Sequence, residues 1–384
     1  MQATCCRNGN PVAWILVESG PGWFHFLLSA LVIAAVVRAA EPEVLKHGKV
    51  YEEAGRFGGW PANNGIWSWG NEILVGFSAG WHLRRPGFGH QIDNSKPREP
   101  RLARSLDGGL TWMVETPGSL LPPEQGGKSV RTLDRPMDFR QPGFVMTIRY
   151  ADLNTGPSLM WHSTNKGRDW DGPFRFPLFG LKGVAGRTDY LVLGSREAMV
   201  FLTGSKSNGR EGRPFCAETK DGGLSWDLVS FIGPEPRGFA IMPSTVRLAK
   251  EQLITTVRVL DSPHTWIEAY ASEDHGRSWH YLNKPAPDTG GGSGNPPSLL
   301  RLEDGRLCLT YGYRAEPFSI RAVLSSDGGK TWTSPFTLRA GAADGDLGYV
   351  RSVSRPDGKI VSVYYFNDAK YTERYVGFTI WDPR

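Results

Sequence analysis

Cysteine is scarce in this chain of 384 residues, which has only four. Cys5 and Cys6 fall in an N-terminal leader, and Cys216 and Cys308 belong to different repeats, so a disulfide framework and a CxxC metal site are both excluded. Runs of lysine and arginine are missing too. With a formal net charge of +5 and no basic helix, the chain offers nucleic acid no footprint, although a positive pocket for an acidic ligand suits that balance. The glycine cluster at 288–295, with Gly290, Gly291, Gly292 and Gly294, lacks the preceding strand and following helix of a phosphate-binding loop. No metal and no cofactor are expected.

Long apolar runs are confined to one place. Positions 23–37 are apolar except for His25 and Ser29, and Val37, Arg38 and Ala39 look like a small-residue cleavage site. Fifteen positions are short for a membrane span, so residues 1–40 read as an export signal. A secreted or periplasmic protein without stable membrane insertion follows. Loss of two arginines and one glutamate with the leader lowers the net charge to +4. The remainder, 41–384, suffices for one large β domain.

What the chain has in plenty is turn formers and tryptophan: 47 glycines, 28 prolines and 14 tryptophans. The octamer Ser325, Ser326, Asp327, Gly328, Gly329, Lys330, Thr331, Trp332 recurs at 105–112, 163–170, 219–226 and 272–279. The closing tryptophans, at 112, 170, 226, 279 and 332, are 58, 56, 53 and 53 residues apart, a period that suits a four-stranded propeller blade. Within each copy the Asp or Asn oxygen accepts from nearby backbone N–H groups and glycine supplies positive φ, so the motif is a tight turn between two strands. The tryptophan folds back to bury its face while its indole N–H finds a polar partner. Five copies of one catalytic turn would be redundant, so the motif is structural.

These boxes resemble the Asp-box, or BNR, repeats of sialidases and related six-bladed propellers. The resemblance covers 44–384 and implies an all-β, six-bladed β-propeller with four antiparallel strands per blade. Asp-boxes occur in enzymes and binding proteins alike, so activity must be argued from a site. The sixth blade has no box. Its strands are expected at 348–353, 359–365 and 374–381, and the N-terminal strand at 44–51 supplies the fourth, closing the ring.

The resemblance also implies site residues. Near the first blade, sialidases carry a Phe/Tyr-Arg-Ile-Pro motif; here Arg56 is out of register with Pro61 and does not take the role of its arginine. Asp93, in the loop before the first box, matches the acid/base aspartate, and His90 is a second proton carrier. Residues 243–248 and the strand at 252–259 are similar to the sialidase stretch Asn-Glu-Pro-x-Val-x-x-Leu and its following strand. Arg258 then matches the second carboxylate-binding arginine, while Met242 stands where a glutamate would polarise the nucleophile. Arg314 or Arg321 would be the third arginine, with Arg314 favoured by its place in a loop. Tyr349 matches the nucleophilic tyrosine, with Asp346 and Glu373 as possible bases. Arg187 and Asp189, just before an inner strand, face either the channel and its ligand or a neighbouring blade. Trp60, Trp67, Trp69 and Trp81 pack the blades or stack on sugar. The expected protein is a monomeric, retaining, sialidase-like exo-glycosidase for terminal acidic sugars of glycans. A polysaccharide lyase and a non-catalytic glycan-binding protein are the alternatives.

Overall fold

A computed structural model describes residues 41–384 apart from Pro86 and Phe88; the expected leader, 1–40, with Cys5 and Cys6, lies outside the described residues. Six antiparallel sheets follow one another along the chain. Blade I is Arg56–Gly59, Glu72–Trp81, Glu99–Ser105 and Met113–Glu115, with Ile66–Trp69 continuing the first strand along the same partner. Blade II is Val145–Tyr150, Ser158–Ser163 and Asp171–Arg175. Blade III runs from Val184–Ala185 and Tyr190–Val192 through Ala198–Ser205 and Glu211–Thr219 to Asp227–Phe231. Phe239–Arg247, Leu253–Asp261, His264–Ser272 and His280–Ala286 form blade IV, and Ser298–Arg301, Leu307–Tyr313, Ser319–Ser325 and Phe336–Ala340 form blade V. Blade VI orders Gly348–Ser354, Ile360–Phe366, Tyr375–Asp382 and then Glu43–Tyr51, the N-terminal strand that closes the ring.

Each sheet is sandwiched between two others, so its middle strands are apolar on both faces. Ala198–Ser205 and Ile360–Phe366 are accordingly buried along their whole length. The core is divided among the seams between neighbouring blades. Leu74 and Leu102 meet Val145 and Trp161 between blades I and II, and Met160 and Phe174 meet Val200 and Phe215 between II and III. The closing seam sets Ile73, Val75 and Phe77 of blade I against Val361, Val363 and Phe378 of blade VI. A ring with a packed final seam leaves no sheet face uncovered.

The boxes join third strand to fourth. In the first, Ser105 Oγ donates to Asp107 Oδ1 (2.8 Å) and accepts from Gly109 N (2.8 Å), while Thr111 donates its N–H (2.9 Å) and hydroxyl (2.6 Å) to the same carboxylate. Trp112 then donates its indole N–H to Gly109 O at 3.1 Å, and Trp170 and Trp332 repeat this with Gly167 and Gly329. Blade VI has no box because its third and fourth strands come from opposite ends of the described chain, leaving no hairpin to carry one.

One blade departs from the expected four strands. Blade II lacks the innermost one, and the backbone edge it would cover is satisfied otherwise: Ile148 N donates to Thr188 Oγ1 (3.2 Å), Tyr150 N to Gly186 O (3.1 Å) and Met146 N to the Tyr190 hydroxyl (3.3 Å). First strands of blades III, IV, V, VI and I touch in turn around the axis. Four are interrupted, and at three of the breaks Trp60 (φ 59°), Met242 (φ 56°) and Tyr349 (φ 49°) sit in left-handed backbone that non-glycine residues seldom adopt. All three side chains meet in one buried cluster with Phe57, Ile241 and Tyr365, so the irregularities re-aim side chains toward a common point.

Candidate active site

Tyr349 stands at the centre of that cluster, 7% exposed. Its strained backbone is held from outside: Asn295, fully buried, accepts from Tyr349 N through Oδ1 (2.9 Å) and donates through Nδ2 to Leu347 O (3.1 Å). Gly348 permits this approach. It has φ 106°, and a Cβ there would lie 2.1 Å from Asn295 Oδ1. The glycine-rich loop at 288–295, excluded above as a phosphate site, therefore braces the tyrosine.

Two arginines flank the phenol. Arg258, 3% exposed, donates from Nη1 to the Tyr349 hydroxyl (3.0 Å) and from Nε to Ser293 O (2.7 Å), with Met242 Sδ 3.8 Å away. Arg314 lies 5.7 Å from the Tyr349 ring and donates to Leu347 O (3.2 Å) and the Tyr365 hydroxyl (2.8 Å). Burial alone would raise the Tyr349 pKa, but the positive charges of Arg258, Arg314 and Arg187 bring it below the ordinary tyrosine value. Tyr365, hydrogen-bonded to a carboxylate as well as buried, is pushed far the other way.

That carboxylate is Asp346. It accepts from Tyr365 (2.7 Å), His90 Nδ1 (2.8 Å), Gln91 N (2.8 Å) and Arg374 Nε (3.0 Å). Burial works against its charge, yet His90, Arg374 and Arg314 hold it well below the usual carboxylate range. An ionised carboxylate only accepts, so Nδ1 of His90 carries the proton and Nε2 keeps its lone pair. Burial lowers the His90 pKa and outweighs the hydrogen bond from that side, so the imidazole is neutral at neutral pH. Its ring is 5.6 Å from that of Tyr349 and 4.9 Å from that of Trp60. His90, Arg314, Asp346, Ser293 and Arg374 line a cavity of about 1260 Å³.

The structure thus brings together Tyr349, Arg258, Arg314 and His90. Asp346 serves the site by orienting His90, whereas Glu373 lines a separate cavity with Glu52 and Tyr371. Arg187 pairs with Glu211 of its own blade and lies 4.8 Å over the Tyr150 ring, near enough for its charge to act on Tyr349. Asp189 lies 3.9 Å from Arg351 of blade VI, and burial raises its pKa to about 7. Asp93 and Arg321 are not brought to this site. The Asp93 carboxylate closes its own turn, accepting from the Ser95 N–H (3.0 Å) and hydroxyl (2.6 Å), and Arg321 lies 3.5 Å over the Tyr313 ring with Nε on Ser319 Oγ (3.0 Å). Arg56 donates to Gly80 O and Glu99. Of the four tryptophans, Trp60 walls the site, Trp67 packs on Trp170, Trp69 is half-buried and Trp81 is exposed. Sequence reasoning missed Tyr365 and Arg374 as site residues, and it left Trp60 among four tryptophans that either pack the blades or stack on sugar; the one local signal that set Trp60 apart was Trp60-Pro61, a helix start placed between two strand segments.

Fold and site together define a six-bladed propeller in which a buried tyrosine, an arginine with no carboxylate partner among the described residues and a histidine–aspartate pair meet near the axis. The profile of the BNR repeat-like domain family matches residues 101–362, and the chain belongs to that family. No curated protein matches it. Among solved structures it is similar to a protein of unknown function from Dyadobacter fermentans, with TM-score 0.69 and 18% identity over 90% of this chain and 100% of that one. A mutant Trypanosoma rangeli sialidase displaying trans-sialidase activity aligns with TM-score 0.57 and 13% identity over 89% of this chain, which spans 60% of the sialidase. An α-L-arabinofuranosidase of Fusarium graminearum, solved with an iminosugar inhibitor, aligns with TM-score 0.55 and 12% identity over 88% of this chain and 98% of that one. At such identities these are likenesses of fold.

Proposed function

We propose that the protein is an exported enzyme that hydrolyses a glycan at an acidic terminal sugar, with Tyr349 forming a glycosyl-enzyme bond. One observation carries this reading. Arg258 is a buried guanidinium whose partners are a phenol, a backbone carbonyl and a thioether, and among the described residues no carboxylate pairs with it. A buried charge left so is costly unless an anion meets it, here a phenolate or a substrate carboxylate. His90 replaces the helper glutamate whose place Met242 occupies: its free nitrogen takes the phenol proton, Asp346 steadies the imidazolium, and the phenolate attacks the anomeric carbon. The imidazolium, on the cavity wall, returns its proton to the leaving oxygen. Water then releases the sugar with retained configuration, a route distinct from the two-carboxylate scheme of most glycosidases. That a sialidase displaying trans-sialidase activity and an arabinofuranosidase share this fold supports an enzyme acting on sugars.

The same groups fit a second reading, elimination from a uronate, because Asp93 lies outside the site and the proton carriers that remain are a tyrosine and a histidine beside two arginines. Incubating the purified protein with a panel of acidic oligosaccharides separates the two. Hydrolysis gives a new reducing end without ultraviolet absorbance, lost in Tyr349→Phe; an unsaturated, absorbing product would establish the lyase, and saturable binding without turnover a binding protein.

A further inference from the structure

A second guanidinium, half-buried, is left without an anion. Arg149 is the next-to-last residue of the Val145–Tyr150 strand; its Nε donates to Thr147 Oγ1 (3.3 Å), its guanidinium lies 5.8 Å from the Trp161 ring, and its buried Nη2 has no hydrogen-bond partner among the described residues. Burial lowers its pKa to about 10, with no carboxylate acting in the opposite sense. The space beside it is bordered by blade II, the blade without an inner strand. Arg149 lines a cavity of about 240 Å³ with Trp60, Tyr150, Trp161, Arg98 and Glu99. Glu99 is already paired, with Arg56 at 3.1 Å and with Arg101, and Glu124 is exposed at the rim. Arg98, also exposed, lies 4.9 Å over the Trp60 ring.

This cavity adjoins the first. Trp60 lines it, and Trp60 Nε1 is 3.3 Å from His90 Nδ1 on the other cavity's wall. Tyr150, also on its wall, is close enough to feel the charge of Tyr349. We infer that this cavity is a second anion subsite, in which Arg149, assisted by Arg98, takes a carboxylate or sulfate on the sugar next to the one held by Arg258 and Arg314. The substrate class is then a polyanionic oligosaccharide. This rests on the reading of the axial site above. A planar guanidinium on the cavity wall, with a donor that the protein leaves unused, matches an oxyanion.

Calorimetry on the Tyr349→Phe protein, which binds without turnover, tests it with a monouronate, a diuronate and a disaccharide carrying one uronate and one O-sulfate. We expect the two-anion ligands to bind roughly tenfold or more tighter than the monouronate, and Arg149→Met to remove that preference. A preference for the sulfated probe over the diuronate, or the reverse, names the group bound. Arg98→Gln, at an exposed position that leaves folding intact, should remove part of the preference and carries the test if Arg149→Met lowers the thermal midpoint. Arg258→Met should weaken mono- and dianionic ligands alike. Equal binding of one- and two-anion ligands, or a preference that survives both Arg149→Met and Arg98→Gln, overturns the second subsite while leaving the axial one standing. If Arg258→Met weakens nothing, the axial reading falls instead.

Discussion

Tyr349 combines an unfavourable backbone with a favourable field. A tyrosine at φ 49° costs roughly 1–3 kcal/mol, and it persists because Asn295 and Gly348 leave the chain no other path. The histidine sets the pH response. Because burial depresses the His90 pKa, activity that needs its free nitrogen should rise along an acid limb centred below 6.5, read from kcat/KM against pH. Asp346 pulls that pKa upward, so Asp346→Asn should move the limb to still lower pH, and His90→Gln should cost roughly 10²–10⁴ in rate. A limb that stays in place in Asp346→Asn would detach the carboxylate from the histidine. Arg258, Arg314 and Tyr349 were readable from local motifs. The pairing of His90 with Asp346 was not, since 256 positions separate them and only the closed ring makes them neighbours. Nothing local marks Tyr365, which lies in a strand buried along its whole length and whose hydroxyl is used only where Asp346 and Arg314 converge.

The boxed turns have an acid weakness. In the boxes at 105–112, 272–279 and 325–332, burial of the carboxylate is slight, and hydrogen bonds from a hydroxyl and N–H groups hold Asp107, Asp274 and Asp327 at about 2. A depressed folded-state pKa gives stability that is present above the unfolded value near 3.9 and lost as the pH falls toward 2. The contribution of each is small because Asp327 is exposed and Asp107 and Asp274 are only half-buried, but the turns share one pH window. Thermal midpoints measured from pH 5 to pH 2 should fall through that window, and a triple Asp107→Asn, Asp274→Asn, Asp327→Asn protein should show a lower plateau and a flatter fall. The repeat spacing made five blades readable because each box fixes one hairpin. It said nothing about inner strands, which carry no box. The breaks at Trp60, Met242 and Tyr349, and the absent inner strand of blade II, follow from how blades meet at the axis, a tertiary matter.

The ring depends on the strand Glu43–Tyr51, which joins the two ends of the described chain through seven residue pairs with Tyr375–Asp382. Removing residues 41–51 would bare that edge and uncover Val376 and Phe378, apolar side chains each worth roughly 1.5–3 kcal/mol when buried. We expect the truncated protein to aggregate or to unfold at much lower temperature by differential scanning calorimetry; an unchanged midpoint would mean the ring needs no such clasp. For the same reason, if the leader is removed on export, cleavage should fall before Glu43, which sequencing the N-terminus of secreted protein would show. The blade count and the clasp were both readable, because an unboxed final blade with three strands needs a fourth from elsewhere. What the ring achieves is to aim Tyr349, Arg258, Arg314 and His90 at one point. The most direct measurement is peptide mass spectrometry after rapid quenching of the enzyme with a turned-over acidic oligosaccharide. We expect a transient glycosyl adduct on the peptide containing Tyr349, absent in Tyr349→Phe. Turnover with no adduct there, or with an adduct on another residue, would contradict the role given to this tyrosine.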